Sequence, residues 1–96
     1  MIMSQNISLN SVISQRPGNI VSDMDGEKVM LSINKGKYYN LGEIGGRIWE
    51  LIEQPAAFEN VVNAMLEEYD VERGQCEEQV LHFLELLVNE ELAAIE

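Results

Sequence analysis

Residues 35–53 read KGKYYNLGEIGGRIWELIE, and the spacing of the apolar side chains changes within this stretch. Residues 37–41 (KYYNL) read as a β-strand, whereas from Gly42 onward the apolar residues recur with the period of a helix. The helical pattern ends at Gln54-Pro55, because proline cannot continue a helix. Its apolar residues are Ile44, Ile48, Trp49, Leu51 and Ile52. The stretch therefore predicts a strand that leads directly into a helix, with Trp49 in the core.

A hairpin is predicted ahead of this strand. Asp25-Gly26 separates two apolar runs, residues 20–24 and 27–33, and an Asp-Gly pair supplies the positive φ angles that a two-residue hairpin turn needs. With residues 37–41 as the third strand, the hairpin becomes a three-stranded antiparallel meander. Residues 6–13 alternate more loosely and predict an additional N-terminal strand or arm.

Two more helices are expected after the first. Apolar residues follow a helical stripe from Phe58 to Tyr69, and a third helix is predicted over residues 75–89. A short extended piece, residues 92–95, follows it. Because the strands come first and the helices second, the predicted fold class is α+β. Three short strands cannot bury their apolar face alone, so the helices must pack on the meander.

Size and composition predict one domain. A chain of 96 residues, 46% of them hydrophobic, can bury one modest core but not a second. We expect the domain to span residues 1–96, with an N-terminal strand or arm in residues 1–18 and the core in residues 19–96. A single cysteine cannot form an internal disulfide, and no apolar run reaches the roughly 18 residues of a membrane span. A reducing, cytoplasmic setting without a membrane partner is therefore predicted.

The acidic residues are concentrated in the second half of the chain. Residues 1–48 carry five basic and four acidic side chains, whereas residues 49–96 carry one basic and 13 acidic ones. Polyanions and anionic membrane surfaces are poor partners for such a surface. A nucleic-acid-binding helix needs Lys or Arg for the phosphates, but residues 75–91 contain five glutamates and neither basic residue type. The charge pattern argues against a nucleic-acid partner.

The predicted third helix is apolar over an unusually wide arc. At about 100° per residue, its apolar side chains cover roughly 220°, twice the stripe of an ordinary surface helix. Burial on two sides is difficult in a small domain, so we interpret the excess as one wall of an apolar groove. A self-association face is the alternative interpretation. A third interpretation is that Leu81 and Val88, at the margin of the arc, only cover the ends of the core.

The residues that usually carry catalysis are sparse. His82 is the single histidine and is expected to be a solvated surface residue. Cys76 lies beside Glu77 and Glu78, which raise rather than lower the pKa of a thiol, and is expected to be a small buried hydrophobe. Residues 42–46 (GEIGG) lack the Gly-Lys-Ser/Thr ending of a phosphate loop, so we interpret them as a helix start in close backbone contact. The sequence predicts no catalytic, metal or cofactor site.

Residues 35–53 resemble the PqqD family. The resemblance lies in a glycine turn and a strand with the motif Tyr-Tyr-x-Leu, followed by a helix with the motif Gly-x-Arg-Ile-Trp-Glu-Leu-Ile. Residues 67–71 (EEYDV) resemble the family's link to its last helix, and residues 80–87 (VLHFLELL) resemble that helix. The resemblance covers about residues 20–95. Members recognise precursor peptides that are ribosomally made and post-translationally modified. This chain is most similar to the discrete recognition proteins of lasso-peptide pathways.

The resemblance implies a winged-helix-like fold, in which three helices back a three-stranded sheet. It implies that the leader of a precursor peptide adds as an antiparallel strand to the third strand, in the groove beside the last helix. The peptide-binding residues are then expected to be Lys37, Tyr38, Tyr39, Asn40, Gln79, Val80, Phe83, Leu84 and Leu87. The implied partners are this leader, a transglutaminase-like leader protease and a cyclase. A winged-helix nucleic-acid binder and a dimerisation module are the alternatives.

Some positions stay open or depart from the family pattern. Strand alternation sends only one of Tyr38 and Tyr39 toward the core, and the sequence does not decide which. Ala56-Ala57 stands where the family often has a Ser or Thr helix cap, and Gln79 replaces a common acidic residue. Glu91 occupies the position of a helix-ending glycine, so we expect an irregular turn after the third helix.

Overall fold

The strands of the meander precede the three helices along the chain. The computed structural model describes residues 7–96. The strands and helices are β1 (Val12–Gln15), β2 (Asn19–Met24), β3 (Glu27–Ser32), β4 (Lys37–Leu41), α1 (Gly42–Leu51), β5 (Ala56–Ala57), α2 (Phe58–Glu68), α3 (Arg73–Asn89) and β6 (Ala93–Ile95). The predicted α+β class is confirmed.

Strands β2, β3 and β4 form the predicted antiparallel meander, in this order across the sheet. Asp25 and Gly26 have φ angles of 57° and 86°, so the hairpin turn contains the two left-handed residues that its sequence indicates. Met30 lies on the inner face of the sheet, where α1 packs, and its side chain is fully buried. Ile20 and Tyr38 lie on the outer face and are exposed.

A second, smaller sheet is not predicted by the sequence pattern. β1 lies between β5 and β6 and pairs antiparallel with both. The predicted strand over residues 6–13 is wrong in its bounds, because residues 9 and 10 form a turn and the strand begins at Val12. Residue 6 lies outside the described residues. Strands as short as β5 and β6 show no sequence period, so only their pairing with β1 defines them.

The three predicted helices are confirmed, with α3 beginning at Arg73 instead of residue 75. Trp49 is 6% exposed and lies in the core, as expected, with Ile48 and Ile52. The other core residues are Ile13, Met30, Phe58, Val61, Val62, Met65, Cys76, Val80, Leu84, Leu87, Leu92 and Ala93. None of the helices found in residues 7–96 has the length and apolar character that crossing a membrane requires.

Helix α3 ends in a regular left-handed turn, so the expected irregular turn is wrong. Glu91 has a φ of 65°. Its N–H donates to the carbonyl of Val88 at 3.0 Å, and the N–H of Leu92 donates to the carbonyl of Leu87 at 2.8 Å. These two bonds are the pair of a Schellman motif, in which glycine usually fills the left-handed position. Glu91 takes that position here. Its backbone is strained, because at positive φ the Cβ lies too close to the following carbonyl oxygen.

Glu91→Gly is expected to raise the free energy of unfolding by roughly 0.5–1 kcal/mol. The substitution relieves a left-handed strain of about 1–2 kcal/mol, and the greater freedom of glycine in the unfolded chain offsets part of the gain. Urea unfolding followed by circular dichroism measures the difference. Glu85→Gly, in the middle of α3, is the control and should lose about 1 kcal/mol. A less stable Glu91→Gly variant would contradict the strain.

Candidate functional site

Strand β4 forms one edge of the meander. Within residues 7–96, no strand pairs with the edge of β4 that faces away from β3. Lys37, Tyr38 and Asn40 of this strand are exposed. The edge of a sheet presents backbone N–H and C=O groups that can pair with another strand. The structure therefore offers an open strand edge where the sequence predicts it.

Tyr39 is the tyrosine that faces the helices, which answers the question that strand alternation leaves open. Its hydroxyl donates a hydrogen bond of 2.9 Å to Oε1 of Glu90, at the end of α3, and its ring packs against the core. Burial and this hydrogen bond raise the pKa of Tyr39, so the hydroxyl stays protonated and keeps donating. Tyr38 lies on the outer face and is 75% exposed. The bond from Tyr39 holds the end of α3 beside β4.

An apolar cleft opens between α1 and α3, and we call it the α1–α3 cleft. Its open volume is about 550 Å³. Its lining residues are Ile44, Gly45 and Ile48 from α1 and Glu78, Gln79, His82, Phe83 and Leu86 from α3. Leu86 is 49% exposed, so a large apolar side chain lies at the surface of the cleft. Concave apolar surface with a few polar groups is typical of a binding site.

Strand β4 runs directly into α1, which lines the α1–α3 cleft. Helix α1 begins at Gly42, directly after β4 ends. Along α3, Glu90 bonds to Tyr39 of β4, and further toward the start of the helix Phe83 lies against Gly45 of α1. Helix α3 thus lies near β4 at its C-terminal end and lines the cleft further toward its start.

The glycines of the GEIGG segment allow α1 to pack closely on its neighbours. A Cβ added to Gly45 would lie 2.7 Å from Cε1 of Phe83, and one added to Gly46 would lie 2.8 Å from Cγ of Lys28. Both distances are shorter than the roughly 3.5–4.0 Å of an optimal carbon–carbon contact. The interpretation of GEIGG as a closely packed helix start is confirmed, and the Phe83 ring rests on bare helix backbone.

The predicted site residues divide into a surface set and a core set. Gln79 and Phe83 line the cleft. Val80, Leu84 and Leu87 lie in the core and are at most 2% exposed. Side chains without exposed surface cannot contact a ligand in this structure, so the expectation that these three line the groove is corrected. They occupy the centre of the apolar arc of α3, which packs on the other elements.

Sequence reasoning missed Leu86, Ile44, Glu78 and His82 as residues of the cleft. His82 is exposed, as expected, but its side chain lines the cleft. The signal for Leu86 is its place at one margin of the wide apolar arc, three residues after Phe83 and thus on the same side of α3. The residues of the other margin, Leu81 and Val88, are half-buried and pack against the core. The interpretation that those two cover the core is confirmed.

Cys76 is buried, and its burial raises the pKa of the thiol. The interpretation of this residue as a small buried hydrophobe is confirmed. In the described part of the chain, no group of three or more His, Cys, Asp or Glu side chains could hold a metal ion. The residues that line the cleft offer apolar contact, hydrogen bonding and charge.

The fold is a small α+β domain with an unpaired strand edge and an apolar cleft between two of its helices. The chain belongs to the PqqD family, because the family model described as coenzyme PQQ synthesis protein D (PqqD) matches residues 27–93. This match includes β3, β4 and all three helices. The predicted family resemblance is confirmed. A comparison with curated proteins gives no significant match.

Three solved structures are similar to this chain. TbiB1 in complex with the TbiA(beta) leader peptide is 34% identical, with a TM-score of 0.75, and the match covers 86% of this chain and 94% of TbiB1. A lasso peptide synthetase B1 complexed with its leader peptide is 23% identical, with a TM-score of 0.74 and coverage of 85% and 96%. The PqqD truncation of Methylobacterium extorquens PqqCD, described as a stand-alone RiPP recognition element, is 14% identical, with a TM-score of 0.77 and coverage of 93% and 95%. At these lower identities, the second and third structures show the fold alone.

Proposed function

We propose that this chain binds the leader segment of a ribosomally synthesised precursor peptide. The observation that carries the proposal is the free edge of β4 beside the apolar α1–α3 cleft. An extended peptide can pair with such an edge through its backbone and place alternate side chains against the neighbouring helix. The 34% identity to TbiB1, a protein solved with a leader peptide, supports this function.

The proposed peptide runs antiparallel to β4. β4 runs from Lys37 to Leu41, toward α1, so the N-terminal part of the peptide lies near α1 and its C-terminal part lies near Lys37. Every second side chain of the peptide then faces α3. The residues of β4 from Lys37 to Asn40 contribute backbone groups, and Tyr39 also contributes its ring.

Apolar anchors must supply most of the specificity. About four backbone hydrogen bonds contribute roughly 1 kcal/mol each, which only offsets the ~4 kcal/mol or more that association costs. Two leader side chains buried in the cleft contribute about 2–3 kcal/mol each. Both anchors, with further contacts at the rim, are needed to approach the roughly −8 kcal/mol of micromolar binding. We assign side-chain recognition to Gln79, Phe83 and Leu86 of α3, with Ile44 of α1 opposite them.

We further propose that the chain catalyses no reaction and presents the leader to separate enzymes. The proposed enzymes are a transglutaminase-like leader protease and a cyclase of a lasso-peptide pathway, in the cytoplasm. They follow from the similarity to the discrete recognition proteins of such pathways, and a single cysteine, which cannot form an internal disulfide, fits a reducing compartment. Leader cleavage by the purified chain, without any partner, would contradict this role.

Self-association is the alternative that a specific observation favours. Ile20, Met24 and Tyr38 expose apolar surface on the outer face of the meander. Light scattering with and without peptide separates the two functions. A dimer that is indifferent to peptide supports the dimerisation module, and a monomer that binds peptide supports the recognition protein.

The test of leader binding starts from a peptide library. Random peptides long enough for one strand, roughly 10 residues, are displayed and selected on the immobilised chain, with the TbiA(beta) leader peptide as a reference probe. Backbone amide exchange, followed by NMR, then shows which residues the bound peptide protects. We expect slower exchange at outward-facing amides of residues 37–41, because the added strand accepts their hydrogen bonds.

Two results would contradict the proposal in different ways. Bound peptide without protection in β4 would overturn strand addition. Failure to select any peptide, together with no binding of the reference probe, would overturn the peptide-binding function itself.

A further inference from the structure

The outer face of the meander carries an uncovered apolar hollow. Helix α1 packs on the opposite, inner face, where Met30 is buried. The hollow has an open volume of about 230 Å³ and is lined by Ile20, Ser22, Met24, Val29, Leu31 and Tyr38. None of these six side chains is charged, although the chain has a net charge of −11. A contiguous patch of exposed apolar side chains is often a contact surface.

Three of these side chains form a row across the strands. Ile20 of β2 lies opposite Leu31 of β3, and Leu31 lies opposite Tyr38 of β4. Tyr38 ends the row on the strand whose other edge has no partner within residues 7–96, and it is 75% exposed. A strand that pairs with this edge would place its own outward side chain about 5 Å from that of Tyr38. The row can therefore gain a fourth member from a strand added to β4.

We infer that Tyr38 contacts an apolar side chain on the outward face of the bound leader, so that the peptide is recognised on both of its faces. The inference rests on the proposed function, because it takes strand addition to β4 as given. The peptide residue opposite Tyr39 then faces α3, and the next residue toward the peptide's C-terminus lies opposite Tyr38. An aromatic or β-branched residue suits that place, because cross-strand pairs of these types stabilise neighbouring strands.

Charge and size favour the peptide over a second copy of the chain as the partner of this row. Two copies each carry a net charge of −11 and repel one another. A stable dimer buries roughly 800 Å² on each partner, whereas three strands of this length give a face of only about 14 Å by 18 Å. A single added strand needs only the ring of Tyr38 and the backbone edge beside it.

The contact adds selectivity to the apolar anchors rather than replacing them. A cross-strand pair of this kind changes an affinity by up to about fivefold. Peptides selected from the random library on the parent chain should therefore be enriched in aromatic or β-branched residues directly after the anchor that lies opposite Tyr39.

A double-mutant cycle with the tightest selected peptide tests the inference. Nuclear Overhauser contacts to the ring of Tyr38 first identify the outward peptide residue, which is then replaced by alanine. Fluorescence anisotropy measures both peptides on the parent and on Tyr38→Ala, after circular dichroism has shown that the variant is folded. We expect the replacement to weaken binding to the parent about two- to fivefold and to leave binding to Tyr38→Ala unchanged.

Ile20→Ala is the matched control. Ile20 belongs to the same row and is 52% exposed, but β3 and β4 separate it from an added strand by roughly 14 Å. Substitutions that far apart usually have additive effects, so the difference between the two peptides should persist in Ile20→Ala.

The outcomes separate this inference from the function on which it rests. Absent contacts between Tyr38 and the peptide, or a difference between the peptides that survives in Tyr38→Ala, overturns the inference. Leader binding still stands in that case if the bound peptide slows amide exchange in residues 37–41. A peptide that protects no amide of β4 overturns both. Light scattering covers the remaining outcome: if the parent is a dimer, and Tyr38→Ala is a monomer with unchanged affinity for both peptides, a second copy covers the row and the inference is wrong.

Discussion

Leu86→Glu is expected to weaken the binding of a selected peptide by about 100-fold. Leu86 lines the α1–α3 cleft and is 49% exposed, so the new carboxylate stays hydrated in the free protein and the fold is kept. A bound apolar anchor would bury that carboxylate and also lose its contact with the leucine side chain. The expected loss corresponds to about 3 kcal/mol of binding free energy. Fluorescence anisotropy measures the affinity after circular dichroism has shown that the variant is folded.

Met24→Glu is the matched control for this substitution. Met24 is 59% exposed and lies on the outer face of the meander, away from the cleft. The same change of charge there should alter the affinity by less than about threefold. Leu84→Glu is unsuitable as a test of the cleft, because Leu84 is fully buried and a charge there would unfold the domain. If Leu86→Glu binds peptide as tightly as the parent, the peptide binds elsewhere.

Trp49→Ala is expected to lower the free energy of unfolding by about 3–5 kcal/mol. Trp49 is 6% exposed and packs in the core beside Ile48 and Ile52. Removal of its ring takes away a large buried apolar surface and leaves a cavity that the neighbours fill only in part. Since domains have about 5–15 kcal/mol of stability, the loss is a large fraction of the total. Urea unfolding followed by circular dichroism measures the loss.

Ile44→Ala is the control for the tryptophan variant. Ile44 lies on the same helix, but its side chain is exposed at the cleft, so the substitution should cost less than about 1 kcal/mol. It should instead weaken peptide binding. An unchanged unfolding midpoint in Trp49→Ala would show that the ring adds little to the core.

The meander and the three helices are predictable because each repeats its pattern over several residues or carries a marked turn. Asp25-Gly26 identifies the hairpin by itself. The small sheet is different. Ala56-Ala57 has no period that a sequence pattern could show, and it becomes a strand only because Val12 and Ile13 lie opposite it in the folded chain. Such short strands form only through pairing between segments that are distant in sequence, and the local sequence pattern does not predict that pairing.

The binding surface is predictable in one respect and not in another. The wide apolar arc of α3 shows that the helix has more apolar surface than one packing interface covers. Which part stays open depends on where the other elements pack, and they cover Leu84 and Leu87 while they leave Leu86 exposed. The orientation of Tyr39 is not predictable from local sequence for the same reason. It depends on the register between β3 and β4 and on Glu90, which lies at the end of a helix that is distant in sequence.

The bare backbone at Gly45 bears on how a recognition protein and its precursor change together during evolution. A methyl group at residue 45 would collide with the Phe83 ring and push it outward, into the cleft that we propose for an apolar anchor of the leader. We expect a protein with alanine there to prefer a smaller anchor, although no other residue of the cleft is changed. One carbon atom in the wall of the groove is then enough to transfer a recognition protein from one precursor to another. The trace of such a transfer would be a paired change, at residue 45 and in the size of the leader's anchor.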